Sequence, residues 1–233
     1  MYLDENKLVH LFHSNSSYYP AIGKHAPTKY YQATSISKNY PAHPFDLQPE
    51  TDCKTRFPSI GSIREYSKCP MQKSTMFTIL QNSFCVRNAH STTPSAGALL
   101  PIELYLVLLN VDQAEAGYYH YHREMQSLTY IKEVHGDLPF LTPVNQFAKS
   151  ASFLIIMTGN LTSMILKYGA RAYRYALLEC GHIGQNVSLN SELCDAGSCA
   201  IGGFHDDLLS ETLNLGPDEF PLYLYSVGIK SSE

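Results

Sequence analysis

Apolar residues recur along this chain in three patterns, each marking a different kind of element. In 74–82 (STMFTILQN), Phe77, Ile79 and Leu80 cluster at helical spacing, with Ser74 as a candidate N-cap. The longest periodic stretch is 171–193, where Leu177, Leu178, Ile183, Val187 and Leu189 recur at near-helical intervals and predict a long helix. Residues 206–213 predict a further short helix. Unbroken apolar runs predict buried strands at 102–109 (IELYLVLL) and 151–157 (ASFLIIM). Alternating Leu and Tyr in 221–227 (PLYLYSV) predict a last strand, and 118–121 with 128–131 read as the arms of a short hairpin. These elements interleave without a strict βαβ repeat, which predicts an α+β fold with helices on the faces of a sheet.

Residues 1–58 break the pattern. They are rich in Tyr, Ser, His and Pro and lack sustained periodicity, so they read as an extended arm with one short helix near Leu8. Residues 59–233 form the domain. Composition narrows its role. With 17 Lys plus Arg against 21 Asp plus Glu, the net charge is −4, which argues against a nucleic-acid binder. Only 16% of residues are charged, against about 25% in an average soluble domain, so part of the surface is expected to be covered by a second subunit. Asp4 and Glu5 stand where a signal peptide carries positive charge, and no apolar stretch is long enough to span a bilayer. The six cysteines show no CxxC pair and read as free thiols. A cytoplasmic protein without membrane contact is expected.

Familiar catalytic signatures are absent: the chain has no P-loop, no G-x-G-x-x-G after a strand, no H-E-x-x-H and no G-x-S-x-G. His120 and His122 could share a strand face as metal ligands do, but among tyrosines they read as a core-edge pair, and no metal is expected. Three other segments carry chemistry. Ser95-Ala96-Gly97 has side chains small enough for a flat or anionic ligand to reach backbone N–H groups, and reads equally as an ordinary turn. Gly202 and Gly203 offer a second such approach, or a loop glycine pair at positive φ. Lys167-Tyr168, followed by Arg171 and Arg174, sets a potential base beside a cation and two phosphate-binding side chains, or is simply a solvated helix start.

Taken in order, these segments resemble the SagB/McbC-type branch of the flavin-dependent nitroreductase superfamily, from about residue 11 to 229. PSAGALLPIELYLVL (94–108) is similar to its proline-serine-alanine-glycine signature and following strand. KYGARAYRYALLECGHIGQN (167–186) contains what looks like its Lys-Tyr catalytic pair. IGGFHDDLLSETLNL (201–215) and FPLYLYSVG (220–228) resemble its closing segments, SIREYSKCP (62–70) its anion-binding motif, and LFHSNSS (11–17) its N-terminal arm. The chain departs from that pattern at Ile60-Gly61, where the branch usually carries two arginines, and at Leu100, where Tyr is common.

The resemblance implies a nitroreductase-like fold with a central mixed sheet, and a homodimer holding FMN at the subunit interface. It further implies oxidation of peptide thiazolines and oxazolines to thiazoles and oxazoles, beside a cyclodehydratase, on a precursor peptide. Carried over by residue, Ser62 and Arg64 meet the FMN phosphate or ribityl chain, and Arg171 is a further phosphate candidate. Ser95, Ala96 and Gly97 lie near the isoalloxazine ring or its tail, and Gly202 and Gly203 near its reactive nitrogen. Lys167 and Tyr168 are catalytic. Two alternatives stand beside this: an NAD(P)H-dependent reductase on the same fold, and a non-catalytic scaffold in a peptide-modifying complex.

Overall fold

A computed structural model describes residues 4–16, 58–87 and 90–231. Of the expected arm it therefore shows one helix, α1 (Glu5–Ser16), close to the position read for it, and residue 58; the rest lies outside the described residues. The remaining elements follow in chain order. They are α2 (Lys73–Ser83), a two-residue hairpin β1 (Val86–Arg87) and β2 (His90–Ser91), then β3 (Ile102–Leu108), β4 (Gly117–His122), β5 (Ser127–Glu133) and β6 (Phe153–Asn160). Next come α3 (Thr162–Tyr168), α4 (Arg171–Leu193), β7 (Ala196–Ile201), α5 (Asp206–Leu213) and β8 (Glu219–Ile229). The fold is α+β, as the interleaved pattern predicts.

Six strands form one sheet in the order β5-β4-β3-β6-β8-β7. Its five strand pairs are antiparallel, and parallel pairing is confined to single bridges, Ser62 to Ser198 and Met71 to Val111. The mixed character expected of the sheet is thus confined to the Ser62–Ser198 bridge on β7. Strand β6 explains why its sequence is an unbroken apolar run: both of its faces are covered. Phe153, Ile155 and Met157 join Leu80 of α2 and Ile183 and Val187 of α4 in one core layer. Leu154 and Ile156 join Phe140 and Leu209 of α5 in the other. Each such side chain contributes about 1.5–3 kcal/mol on burial, so the middle of the sheet is its most stable part.

Besides the two-residue strands β1 and β2, β7 and α3 went unread in the sequence. Strand β7 (AGSCAI) is made of small residues because another segment crosses it. At Gly197 a β-carbon would come within 2.7 Å of Ile63, and at Gly228 on β8 within 2.7 Å of the Tyr66 ring. Residues 62–66 can lie this close only over glycines, and the Tyr66 hydroxyl fastens them to the Ser226 hydroxyl at 2.8 Å. Helix α3 is separated from α4 by Gly169 at φ 59°, ψ −144°, a backbone that L side chains avoid. Lys167-Tyr168 is consequently the end of one helix rather than the start of another. The expected Ser74 cap is also corrected: α2 begins at Lys73 behind Gln72, with no side-chain cap bond, and the Ser74 carbonyl accepts from Thr78 inside the helix.

Cys69, Cys85, Cys180, Cys194 and Cys199 are free thiols, and Cys53 lies outside the described residues. His120 meets Glu103 at 3.1 Å and His122 meets Thr129 at 2.8 Å. Among the described residues no helix is long and apolar enough to cross a membrane.

Candidate active site

The Ser95-Ala96-Gly97 segment forms a single tight turn, Ala96–Ala98, leading into β3. Its backbone is left-handed at Gly97 (φ 62°), at Ala98 (φ 55°) and, beyond Leu99, at Leu100 (φ 47°). Gly97 is needed for more than its φ. A β-carbon there would stand 2.5 Å from Lys167 Nζ and 2.5 Å from Tyr168 Oη. Two segments 70 residues apart in the chain thus meet atom to atom, and the meeting atoms are the ammonium and the phenol. Lys167 Nζ also lies 5.3 Å from the centre of the Tyr168 ring, and that ring packs edge-on against Tyr175 at 5.1 Å. Lys167 is exposed and Tyr168 half-buried, so a ligand can reach both.

One side chain behind this turn was missed in the sequence. Glu179, on the third turn of α4, is only 5% exposed. Its Oε1 accepts from the Ala96 N–H at 2.8 Å and from the Ser95 hydroxyl at 3.1 Å, and Ser95 Oγ accepts from the Leu100 N–H at 2.9 Å. Burial raises the carboxyl above its ordinary range, against the pull of Ala96, Ser95 and His182.

Ser62, Arg64, Gly202 and Gly203 form a second group, around edge strand β7 and the turn that leaves it. Ser62 bridges Ser198, and the exposed Arg64 guanidinium lies 5.8 Å from the ring centre of Phe147 in the Pro143–Ser150 turn. That turn also holds the glycines: Asn145 Nδ2 donates to the Gly203 carbonyl at 2.6 Å. Neither Gly202 nor Gly203 is left-handed, and among the described residues nothing lies within 4 Å of where a side chain would begin at either. A hydroxyl and a guanidinium at one end and open backbone at the other suit a ligand with a phosphate and a flat ring. The donor set therefore fits FMN. Arg171 sits elsewhere, with Arg174, on a groove of about 770 Å³ between α1 and the first turns of α4. That groove is lined mainly by Leu8, Leu11, Phe12, Leu177 and Leu178, an apolar face.

Comparison with known proteins points the same way. The nitroreductase family profile matches residues 61–229. A nitroreductase-like protein of Methanocaldococcus jannaschii is 33% identical over 173 residues, 72% of this chain and 86% of that one. The microcin B17-processing protein McbC of Escherichia coli is 26% identical over 172 residues, and the match spans 70% of this chain and 62% of McbC. Among solved structures, a chain of the E. coli microcin synthetase McbBCD complex with truncated pro-MccB17 bound superposes with a TM-score of 0.75 and 19% identity. It covers 98% of this chain and 94% of that one, a likeness of fold.

Proposed function

The chain belongs to the nitroreductase family of oxidoreductases, and we propose that within it the protein is an FMN-dependent dehydrogenase that oxidises peptide thiazolines or oxazolines to thiazoles or oxazoles. The observation that carries this reading is the convergence of Lys167 Nζ and Tyr168 Oη on Gly97. A reductase that only relays electrons to a soluble acceptor has little use for a base and a cation held together. Aromatising an azoline ring removes one proton and one hydride from adjacent carbons, so a positioned base is central to it.

In this reading Tyr168 takes the proton from the ring carbon that was the α-carbon of the modified residue. The Lys167 ammonium beside it offsets the charge that proton transfer moves onto or off the phenol oxygen. FMN, when bound, would supply the hydride acceptor for the neighbouring ring carbon. Ser62 and Arg64 would hold its phosphate through charge-assisted hydrogen bonds, and backbone at Gly97, Gly202 and Gly203 would leave room for the ring. With Ile60 and Gly61 in place of two arginines, phosphate binding falls mainly on Arg64. Expected flavin contacts lie at the α3–α4 junction and at β7, and an apolar face that no described residue covers adjoins Arg171. Both features support a homodimer with each flavin at the subunit interface. The likeness to McbC supports a precursor peptide as substrate and a place in a peptide-modifying complex, where the proposed partner is a cyclodehydratase and the proposed compartment the cytoplasm.

The test begins with the visible spectrum of purified protein after FMN addition and desalting, which should show retained flavin. Lys167→Ala and Tyr168→Phe should each abolish conversion of a synthetic thiazoline peptide while leaving the protein yellow. Retained turnover in both variants would remove the pair from catalysis. Rapid flavin bleaching by NADPH without peptide would favour the reductase reading, and a protein that cannot be loaded with FMN would favour the scaffold.

A further inference from the structure

A buried carboxylate needs a reason, because taking it out of water costs several kcal/mol unless hydrogen bonds replace the lost hydration. Glu179 pairs with no lysine or arginine among the described residues, and its two hydrogen bonds go to Ser95 and Ala96. An apolar side chain would serve the α4 core at that point equally well. What the carboxylate does is hold a turn that its own sequence does not favour. Ala98 and Leu100 both adopt left-handed backbone, which disfavours residues bearing a β-carbon. The relay from the Leu100 N–H to Ser95 Oγ, and from the Ser95 hydroxyl to Glu179 Oε1, closes the turn on itself. A second bond, from the Ala96 N–H, fixes it to α4. The residue that follows is Gly97, on which Lys167 Nζ and Tyr168 Oη rest.

We propose that Glu179 is a positioning residue for Lys167 and Tyr168. It pins the strained Ser95–Leu100 turn to α4, so that Gly97 forms a fixed wall against the ammonium and the phenol. The catalytic consequence rests on the reading of that pair given above, whereas the geometric claim does not. Removing the carboxylate leaves the Ala96 N–H and the Ser95 hydroxyl without their acceptor and lets the turn relax toward ordinary backbone. Lys167 and Tyr168 then lose their stop. Glutamine at 179 keeps an acceptor oxygen at the same reach and should restore the arrangement.

The test uses the flavin-loaded full chain and reads Lys167 directly. Acetylation at limiting N-hydroxysuccinimide acetate is followed by mass spectrometry of the Lys167 peptide, with exposed Lys73 as internal reference. Glu179→Ala should raise the Lys167 rate by at least about threefold, and Glu179→Gln should return it to within about twofold of the parent. Ser95→Ala, which breaks only the relay, is the second variant should Glu179→Ala fail to fold by far-UV circular dichroism, and it should raise the rate in the same direction. On the thiazoline peptide, Glu179→Ala should lower kcat by about 100-fold with KM little changed, and Glu179→Gln should recover most of that loss. Unchanged Lys167 reactivity in both Glu179→Ala and Ser95→Ala overturns the proposal, as does a Glu179→Gln protein no better than Glu179→Ala. If Lys167 reactivity shifts as expected but Lys167→Ala and Tyr168→Phe stay active, the positioning stands and the catalytic reading of the pair falls.

Discussion

Substituting Gly97 by alanine separates two costs that the structure superimposes at one residue. The first is backbone: at φ 62° an L side chain is strained, by about 1–2 kcal/mol. In a domain of this size that lowers Tm by about 2–8 °C. The second is local displacement. The new β-carbon would begin 2.5 Å from both Lys167 Nζ and Tyr168 Oη, whereas ordinary contacts are about 3.5–4 Å. Both polar atoms must therefore retreat by about 1 Å. Being the far ends of side chains they can do so without unfolding the protein, but a 1 Å misplacement of reacting groups costs about 100-fold, or about 2.7 kcal/mol, in rate. Gly136 supplies the control. It has nearly the same φ, 58°, yet among the described residues nothing lies within 4 Å of where its side chain would begin. Gly136→Ala should thus show a similar fall in Tm with turnover intact, and Gly97→Ala that fall together with loss of kcat. The measurements are thermal melts of flavin-loaded protein and steady-state oxidation of a thiazoline peptide. A folded, yellow Gly97→Ala enzyme with kcat within about threefold of the parent would refute the reasoning, as would an equal loss in Gly136→Ala.

Other outcomes follow from features further from the pair. Arg64→Ala should weaken FMN binding by about tenfold to 100-fold, the value of a hydrogen bond to a charged group, read by quenching of flavin fluorescence on titration. Ile155→Ala, at a fully buried position of β6, should cost about 2–5 kcal/mol in denaturant unfolding without shifting the flavin spectrum. Helix α1 should loosen in acid. Burial lowers the His13 pKa below its usual 6.5 against the pull of Asp207, so the docked helix holds a neutral imidazole. Its stabilising effect is full above 6.5 and is lost as pH falls through the lowered value. Protection of the α1 amides, corrected for the intrinsic pH dependence of exchange, should therefore fall as the pH drops below 6.5, and much less so in His13→Asn.

How much of this was legible in the sequence depends on how far the deciding contact lies along the chain. The unbroken run in β6 and the stripe in α4 declare themselves because burial acts on every residue of the element. Strand β7 does not, since its Gly197 answers to Ile63, more than 130 positions earlier. Lys167-Tyr168 was visible as a pair, but its place at the end of α3 depends on Gly169, whose unusual backbone no composition announces. Glu179 lay hidden in the long helix, and its partners Ser95 and Ala96 are over 80 residues away. The available signal was a lone carboxylate among apolar and small neighbours in ALLECGHIG, on the buried side of α4. The expected roles for Ser62, Arg64, Gly202 and Gly203 came from resemblance, and the structure gathers all four about β7.

Residues 62–66 lie along β7 and β8, at an edge that would otherwise present unpaired backbone to any passing strand. The main-chain bond from the Ile63 N–H to the Ser198 carbonyl, at 2.9 Å, occupies part of that edge. Because Ser62 and Arg64 belong to this same strip, the phosphate that the proposed function assigns to them would also fasten the strip in place. Under the proposed function, loss of the flavin would then loosen this sheet edge as well as stop turnover.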